Sequence, residues 1–396
     1  LLGDWFNLIA SASLVAMLTG SGLAIGALFV VRMLAPFLVS PIAGVMADRY
    51  NRKHILIATD VARAVTVFGF LLVRDAGQVW LLYALTAVQL GISGFFFPTR
   101  NAILPDIVPT RGIGAANAVS SATWSVMLAL GAAIGGLVSG TWGIYPAFII
   151  DGLTFLLSAL FITRIKFEAV PGLDASEQTV GAALRQYFEG LRYLRRHFDI
   201  LAISLHKAAI AFFMFSGFQV AQVAIAEEIF TIGEGGGISL GLMLGIGGVG
   251  TGIGPIMARY FTGDRDRPLR LTIILGYLVG AVGLAIAAPL LNFETVLLGT
   301  LLRGIGGGIV WVFSTQLLLQ AVPNRVRGRI FATEFAFFTL LSAVGAALGG
   351  QALDAAFGIS EVIWWMAGLT TIPAVLWTLW LGGRKIAQLA PEDARI

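Results

Sequence analysis

The chain has 396 residues, of which 57% are hydrophobic and only 12% charged, with a formal net charge of +4. Soluble domains carry about 25% charged residues, so this balance argues against a large soluble α-protein and for an integral membrane protein. Cysteine is absent, which removes disulfides, thiol catalysis and cysteine metal sites, and His54, His197 and His206 are too widely spaced to suggest a histidine metal centre.

The chain opens at Leu1 rather than Met, which we read as a missing start. No cleavage-site pattern follows the first apolar run, so that run is read as a spanning helix. Spanning needs roughly 20 apolar residues. Twelve runs have that character, at about 4–19, 22–47, 54–73, 78–98, 113–140, 143–164, 199–229, 238–261, 269–290, 294–320, 327–352 and 359–382. None alternates with period two, which argues against strands. The fold expected is all-α, with twelve transmembrane helices.

With the N-terminus inside, one side collects Arg49, Arg52, Lys53, Arg111, Arg164, Lys166, Arg185, Arg192, Arg195, Arg196, Arg265, Arg267, Arg270, Arg325, Arg327, Arg329, Arg384 and Lys385. The other side has Arg74 together with Glu227, Glu228, Glu234, Glu294 and Glu361. Lys and Arg concentrate on the cytoplasmic side, so both termini are placed there. The same bias explains the net charge without nucleic acid.

The halves repeat. VPTR (108–111) and GAAIGG (131–136) match VPNR (322–325) and GAALGG (345–350) at one offset of 214 residues, and Pro41 meets Pro255 at that offset too. This indicates a duplicated six-helix unit related about an axis along the membrane normal. The domains expected are 1–164, a linker 165–197, 198–385 and a tail 386–396. Within the linker Leu184, Tyr187, Phe188, Leu191, Leu194 and Phe198 recur at helical spacing among Arg185, Arg192, Arg195 and Arg196. That is the pattern of an amphipathic helix on the inner membrane surface, in contact with lipid.

Between the second and third runs lies GVMADRYNRK (44–53). This turn resembles the signature loop of the major facilitator superfamily, with Gly44, then Asp48-Arg49, then Arg52-Lys53. The second half keeps a worn version, GPIMARYFTGDRDR (254–267). GFFFPTRNAILPDIVP (94–109), AANAVSS (115–121) and VRGRIFATEFAF (326–337) look like the drug:proton antiporter-3 branch, which includes macrolide efflux proteins and the enterobactin exporter. The resemblance implies two six-helix bundles, a bacterial inner-membrane location and a monomer. Helix ends carry unpaired backbone groups and partial charge. Asp48 is therefore expected to accept from the start of the eleventh run after Arg327. Arg52 and Lys53 are expected to pair with Asp48 or lipid headgroups, together forming a cytoplasmic gate.

Charges within the runs are costly and usually functional. Asp4 lies about 22 Å and Asp60 about 20 Å from the outer helix ends, with Arg32 and Arg63 both at about 15 Å. Asp4 and Asp60, with Glu334 in the second half, are the proton-coupling candidates, because a carboxylate whose cationic partner moves away takes up a proton. Arg32 and Arg63 are the charge partners, and a static Asp60–Arg63 ion pair is the competing reading. Gln89 and Arg303 align at the 214 offset near the midplane and, with Trp124 and Trp311, are the substrate-cavity candidates. Asp151, Lys207 and Asp354 stand nearer helix ends, where snorkelling is the simpler reading.

GIGGVG (245–250) matches a dinucleotide fingerprint but lies inside an apolar run with no strand before it, so small-residue helix packing explains it better. Gly131, Gly135, Gly136 and Gly140 read the same way. They resemble the superfamily's antiporter motif without its usual proline. No P-loop or catalytic motif occurs, so no cofactor or metal is expected, nor an enzyme. The reading is a secondary transporter exporting amphiphilic small molecules in exchange for protons, embedded among membrane lipids. The alternatives are a lipid or lysolipid flippase, a proton-coupled uptake symporter, and a non-transporting receptor or scaffold.

Overall fold

The computed structural model describes residues 2–107, 113–165, 180–263, 265–355 and 357–389. The first half holds α1 (Leu2–Thr19), α2 (Gly22–Arg49), α3 (Arg52–Gly69), α4 (Val79–Ile107), α5 (Ile113–Trp142) and α6 (Ile144–Arg164). The linker helix is α7 (Val180–Arg196). The second half holds α8 (Phe198–Ile210) continuing into α9 (Ser216–Ala224), then α10 (Gly237–Thr262), α11 (Asp266–Ala287), α12 (Phe293–Ala321), α13 (Asn324–Asp354) and α14 (Ile359–Leu389). Helices α8 and α9 form one path, joined by a π turn at Ala211–Phe215 and followed by another at Ile225–Ile229.

Among the described residues ten spans are long and apolar enough to cross a membrane; α1 and α5, whose Leu130–Trp142 stretch is apolar, bring the count to the expected twelve. The connections are tight, and caps begin the helices: Ser21 accepts from Ala24 N, Asn51 from Lys53 N and His54 N, and Asn292 and Thr295 form a reciprocal capping box. Two of the helices run well past the ends of their apolar runs. α4 continues to Ile107 and α14 to Leu389, because backbone hydrogen bonding does not stop where hydropathy falls.

Helices α1 to α6 pack among themselves and α8 to α14 among themselves, and the two sets meet along two seams, α2 against α13 and α5 against α10. The 214 offset carries α2 onto α10 and α5 onto α13, so each seam is the image of the other. Glycine makes both possible at the ends remote from the Gly44–Lys53 turn. A Cβ on Gly136 would lie 2.5 Å from Gly241 Cα and 2.6 Å from Gly237 O. A Cβ on Gly26 would lie 2.6 Å from Ala346 O, and one on Gly22 2.8 Å from Gly350 O. Only bare backbones approach this closely.

The linker helix is less free of the protein than the lipid-surface reading expects. Leu194 is fully buried, Gly190 packs on Arg329 and Thr333 of α13, and Glu189 pairs with Arg329 at 3.0 Å. Phe188, Leu191 and Phe198 remain exposed, while the side chains of Leu184 and Tyr187 lie outside the described residues.

Candidate functional site

In the first half, the predicted charges converge. Asp60 and Arg63, one turn apart on α3, form a buried ion pair. The Arg63 guanidinium is held between the rings of Phe96 on α4 and Phe155 on α6, at 4.4 and 4.3 Å. Asp4 on α1 is within Coulombic reach of Arg63 and of Arg32, and Arg32 donates to Asn7 Oδ1 at 3.4 Å. To these the structure adds Asp151 of α6, which corrects its assignment to a helix end. It is 0% exposed, neither carboxylate oxygen has a hydrogen-bond partner among the described residues, and Gly3 of α1 packs directly against it. Asp151 also lies within Coulombic reach of Asp4, Arg63 and Arg32.

In the second half, Glu334 of α13 is buried and accepts from Lys207 of α8 at 2.9 Å. Lys207 therefore does not snorkel: it lies 4.9 Å from the Trp311 ring and 5.6 Å from Phe331. Trp311 in turn meets Phe338 edge-on at 5.0 Å. Arg303 is buried on α12, two turns before Trp311. Gln89, its counterpart at the 214 offset, is buried on α4 with Oε1 unsatisfied among the described residues. The Trp124 side chain falls outside the described residues.

At the turn, the packing of Gly44 and the side chains of Asp48 and Arg49 also fall outside what is described, so the Asp48 contact is not seen. Lys53 is seen, with partners at the end of α6. Its Nζ donates to Thr163 O at 2.9 Å and Ile165 O at 2.8 Å, the free carbonyls at the end of α6. Arg52 begins α3 beside it. The opposite ends of the seams carry a polar contact that sequence reasoning missed. Asp354, at the end of α13, accepts from Ser21 Oγ at 2.7 Å, Gly22 N at 2.5 Å and Leu23 N at 3.0 Å. It thereby caps α2 from the other half. Its position 332 residues from Gly22 left no local signal.

These features (paired bundles, twinned seams, charges buried in each half) describe a membrane carrier. The family model for the Major Facilitator Superfamily matches residues 1–333. The chain belongs to the Major Facilitator Superfamily. It is a multi-pass membrane transporter. It is 28% identical over 98% of its length, and 91% of the relative's, to YfiS, an uncharacterised MFS-type transporter of Bacillus subtilis. It is 26% identical to the candidate bacilysin exporter BacE of Bacillus amyloliquefaciens, over 84% of this chain and 81% of that one. It is 27% identical to the multidrug resistance protein MdtG of Salmonella paratyphi C, over 88% and 83%. Among solved structures, a bacterial homologue of the human lysosomal transporter Spinster, inward-facing and unoccupied, shares the fold with a TM-score of 0.69. That match has 16% identity over 96% of this chain and 93% of that one.

Proposed function

We propose that this protein is an exporter of amphiphilic small molecules in the bacterial plasma membrane, working by alternating access and driven by proton antiport. The observation that carries the reading is the presence, inside the span of each half, of a carboxylate held beside a cation: Asp60 with Arg63, and Glu334 with Lys207. Such a carboxylate is ionised while its partner stays close and takes up a proton when a rearrangement parts them. Asp4 and Asp151, beside the first pair, extend the acidic site. The names of BacE and MdtG support export over uptake.

The rocking bodies are 1–164 and 198–385, joined by 165–197, with both termini cytoplasmic. Gly44, Asp48, Arg49, Arg52 and Lys53 serve the cytoplasmic gate. The seams are closed at the ends remote from that turn, so this conformation is closed on the outer side.

The test is purified protein in liposomes with an imposed pH gradient and an internal pH dye, challenged with macrolides, cationic dyes, siderophores and lysolipids. Proton antiport requires that a compound collapse the gradient with the parent, and that Asp4→Asn, Asp60→Asn or Glu334→Gln abolish the effect. Gradients unmoved by every compound would sink the proposal.

One observation favours a second reading, a lysolipid flippase. An apolar groove of about 520 Å³ opens between α8 and α14, lined by Leu205, Phe213, Leu376, Trp377 and Trp380, a surface suited to an acyl chain. Lysolipid movement without proton flux, undiminished in all three variants, would select it.

A further inference from the structure

Arg303 differs from the other buried cations. Arg63 has Asp60 and Lys207 has Glu334, but Arg303 has no carboxylate partner among the described residues, and its Nε makes no hydrogen bond. It is 6% exposed and lies about 15 Å along α12 from the Phe293 end. A guanidinium stays charged, and an unpaired charge inside the bilayer span is costly and marks a functional position.

The surroundings are polar and unsatisfied as well. Thr300, one turn before Arg303, is fully buried, and its hydroxyl has no partner among the described residues. On α9, Phe218 lies under the guanidinium at 4.8 Å. Gln222, one turn further on and fully buried, has neither amide atom satisfied among the described residues. Because α9 and α12 run antiparallel, Gln222 and Thr300 occupy one level. Phe215 covers the guanidinium at 4.9 Å; it closes the π turn at Ala211–Phe215, and such turns re-aim side chains, often at functional sites. On the remaining side α10 presents Gly247, where a Cβ would lie 3.3 Å from Arg303 Nη2 and 3.4 Å from Thr300 Cγ2. A side chain there would crowd both, so glycine is what lets α10 lie this close to the donors.

A fixed fork of N–H donors, an amide and a hydroxyl, walled by aromatic faces, complements a planar anion. The aromatic faces ease the burial of the cation but supply no counter-charge. A carboxylate supplies it and accepts two parallel hydrogen bonds from guanidinium. We propose that Arg303, with Thr300 and Gln222, binds a carboxylate carried by the transported molecule, so that the substrates are amphiphiles with an anionic head. This rests on the transport reading above and narrows its substrate class.

The test titrates the purified full-length protein with dansylglycine and with its uncharged analogue dansylglycinamide, following probe fluorescence. The parent is expected to bind the carboxylate roughly tenfold or more tightly than the amide, the factor of one charge-assisted hydrogen bond. Arg303→Gln should bind the two alike, and Arg303→Lys should recover part of the preference. Elution profile and thermal unfolding show whether each variant is folded. If Arg303→Gln is not, Gly247→Ala serves instead, expected to weaken dansylglycine and spare dansylglycinamide. The proposal is overturned if the parent shows no preference, or if the preference survives Arg303→Gln or, where that variant does not fold, Gly247→Ala.

Titrations without chloride and with added chloride separate the two possible sources of anion. A preference present without chloride and lost on its addition would assign the pocket to a free anion and overturn the proposal. Dye export by the same protein in liposomes keeps the two readings apart. Export with no carboxylate preference sinks this inference alone, whereas no movement of any compound sinks the transport reading.

Discussion

Lys207 and Glu334 face each other with side chains 9% and 2% exposed, so removing one strands the other without water. Glu334→Gln is expected to cost about 3–5 kcal/mol, visible as a lower thermal midpoint together with lost proton coupling. The double change Lys207→Met with Glu334→Leu should recover most of the stability, because apolar groups of similar volume replace a buried pair well. Coupling should stay lost, and a double variant that still coupled would make the pair structural only. The two carboxylates near Arg63 are expected to behave oppositely. Asp60→Asn breaks an ion pair and should lower the thermal midpoint, whereas Asp151→Asn removes a carboxylate with no hydrogen-bond partner among the described residues and should leave it unchanged or raise it. Equal losses would show that Asp151 is bound as tightly as Asp60. Counting residues along each run was enough to bring Asp4, Arg32, Asp60 and Arg63 to one region. It misplaced Asp151 and Lys207, because distance from a helix end gives depth but neither the direction a side chain faces nor its partner.

Helix by helix, the seams decide which state is stable. Gly136→Val would press a branched side chain onto the Gly237–Gly241 backbone, and Asp354→Ala would remove the cap on α2, three hydrogen bonds of about 1 kcal/mol each. Both are expected to favour opening at that end. The chain has no cysteine, so Ser13→Cys, buried on α1 beside Gly235, would report alone. Its labelling by a membrane-impermeant maleimide should rise about tenfold for each 1.4 kcal/mol by which the closed state is weakened. Unchanged labelling in both variants would show that these contacts do not hold the outer side. The repeat at 214 residues makes the glycine segments legible in the sequence itself. Their partners are not, since small residues announce close approach without naming what approaches. α7 shows a similar limit: amphipathic spacing marks an interface, and both a bilayer surface and α13 offer one.

For the whole molecule, two bundles with their own packing predict that residues 1–164 and 180–396, co-expressed as separate chains, will copurify and retain transport. Failure to associate would mean that the covalent linker, not the seams, holds the halves together. The number of helices and most of their limits were readable because a bilayer leaves few ways to satisfy a backbone. The substrate's chemistry was not readable, since on our proposal it depends on which orphaned polar groups share a level, as Thr300 and Gln222 do one turn from Arg303. The twin glycine seams also bear on speed. Peptide planes lying against one another have no interlocked side chains, so parting them requires no rotamer jumps and little transient void. The resistance to opening is then concentrated in the polar cap at Asp354. The seams act as a smooth bearing and the aspartate as its detent, so loosening that one residue should quicken the opening step itself as well as shift its balance.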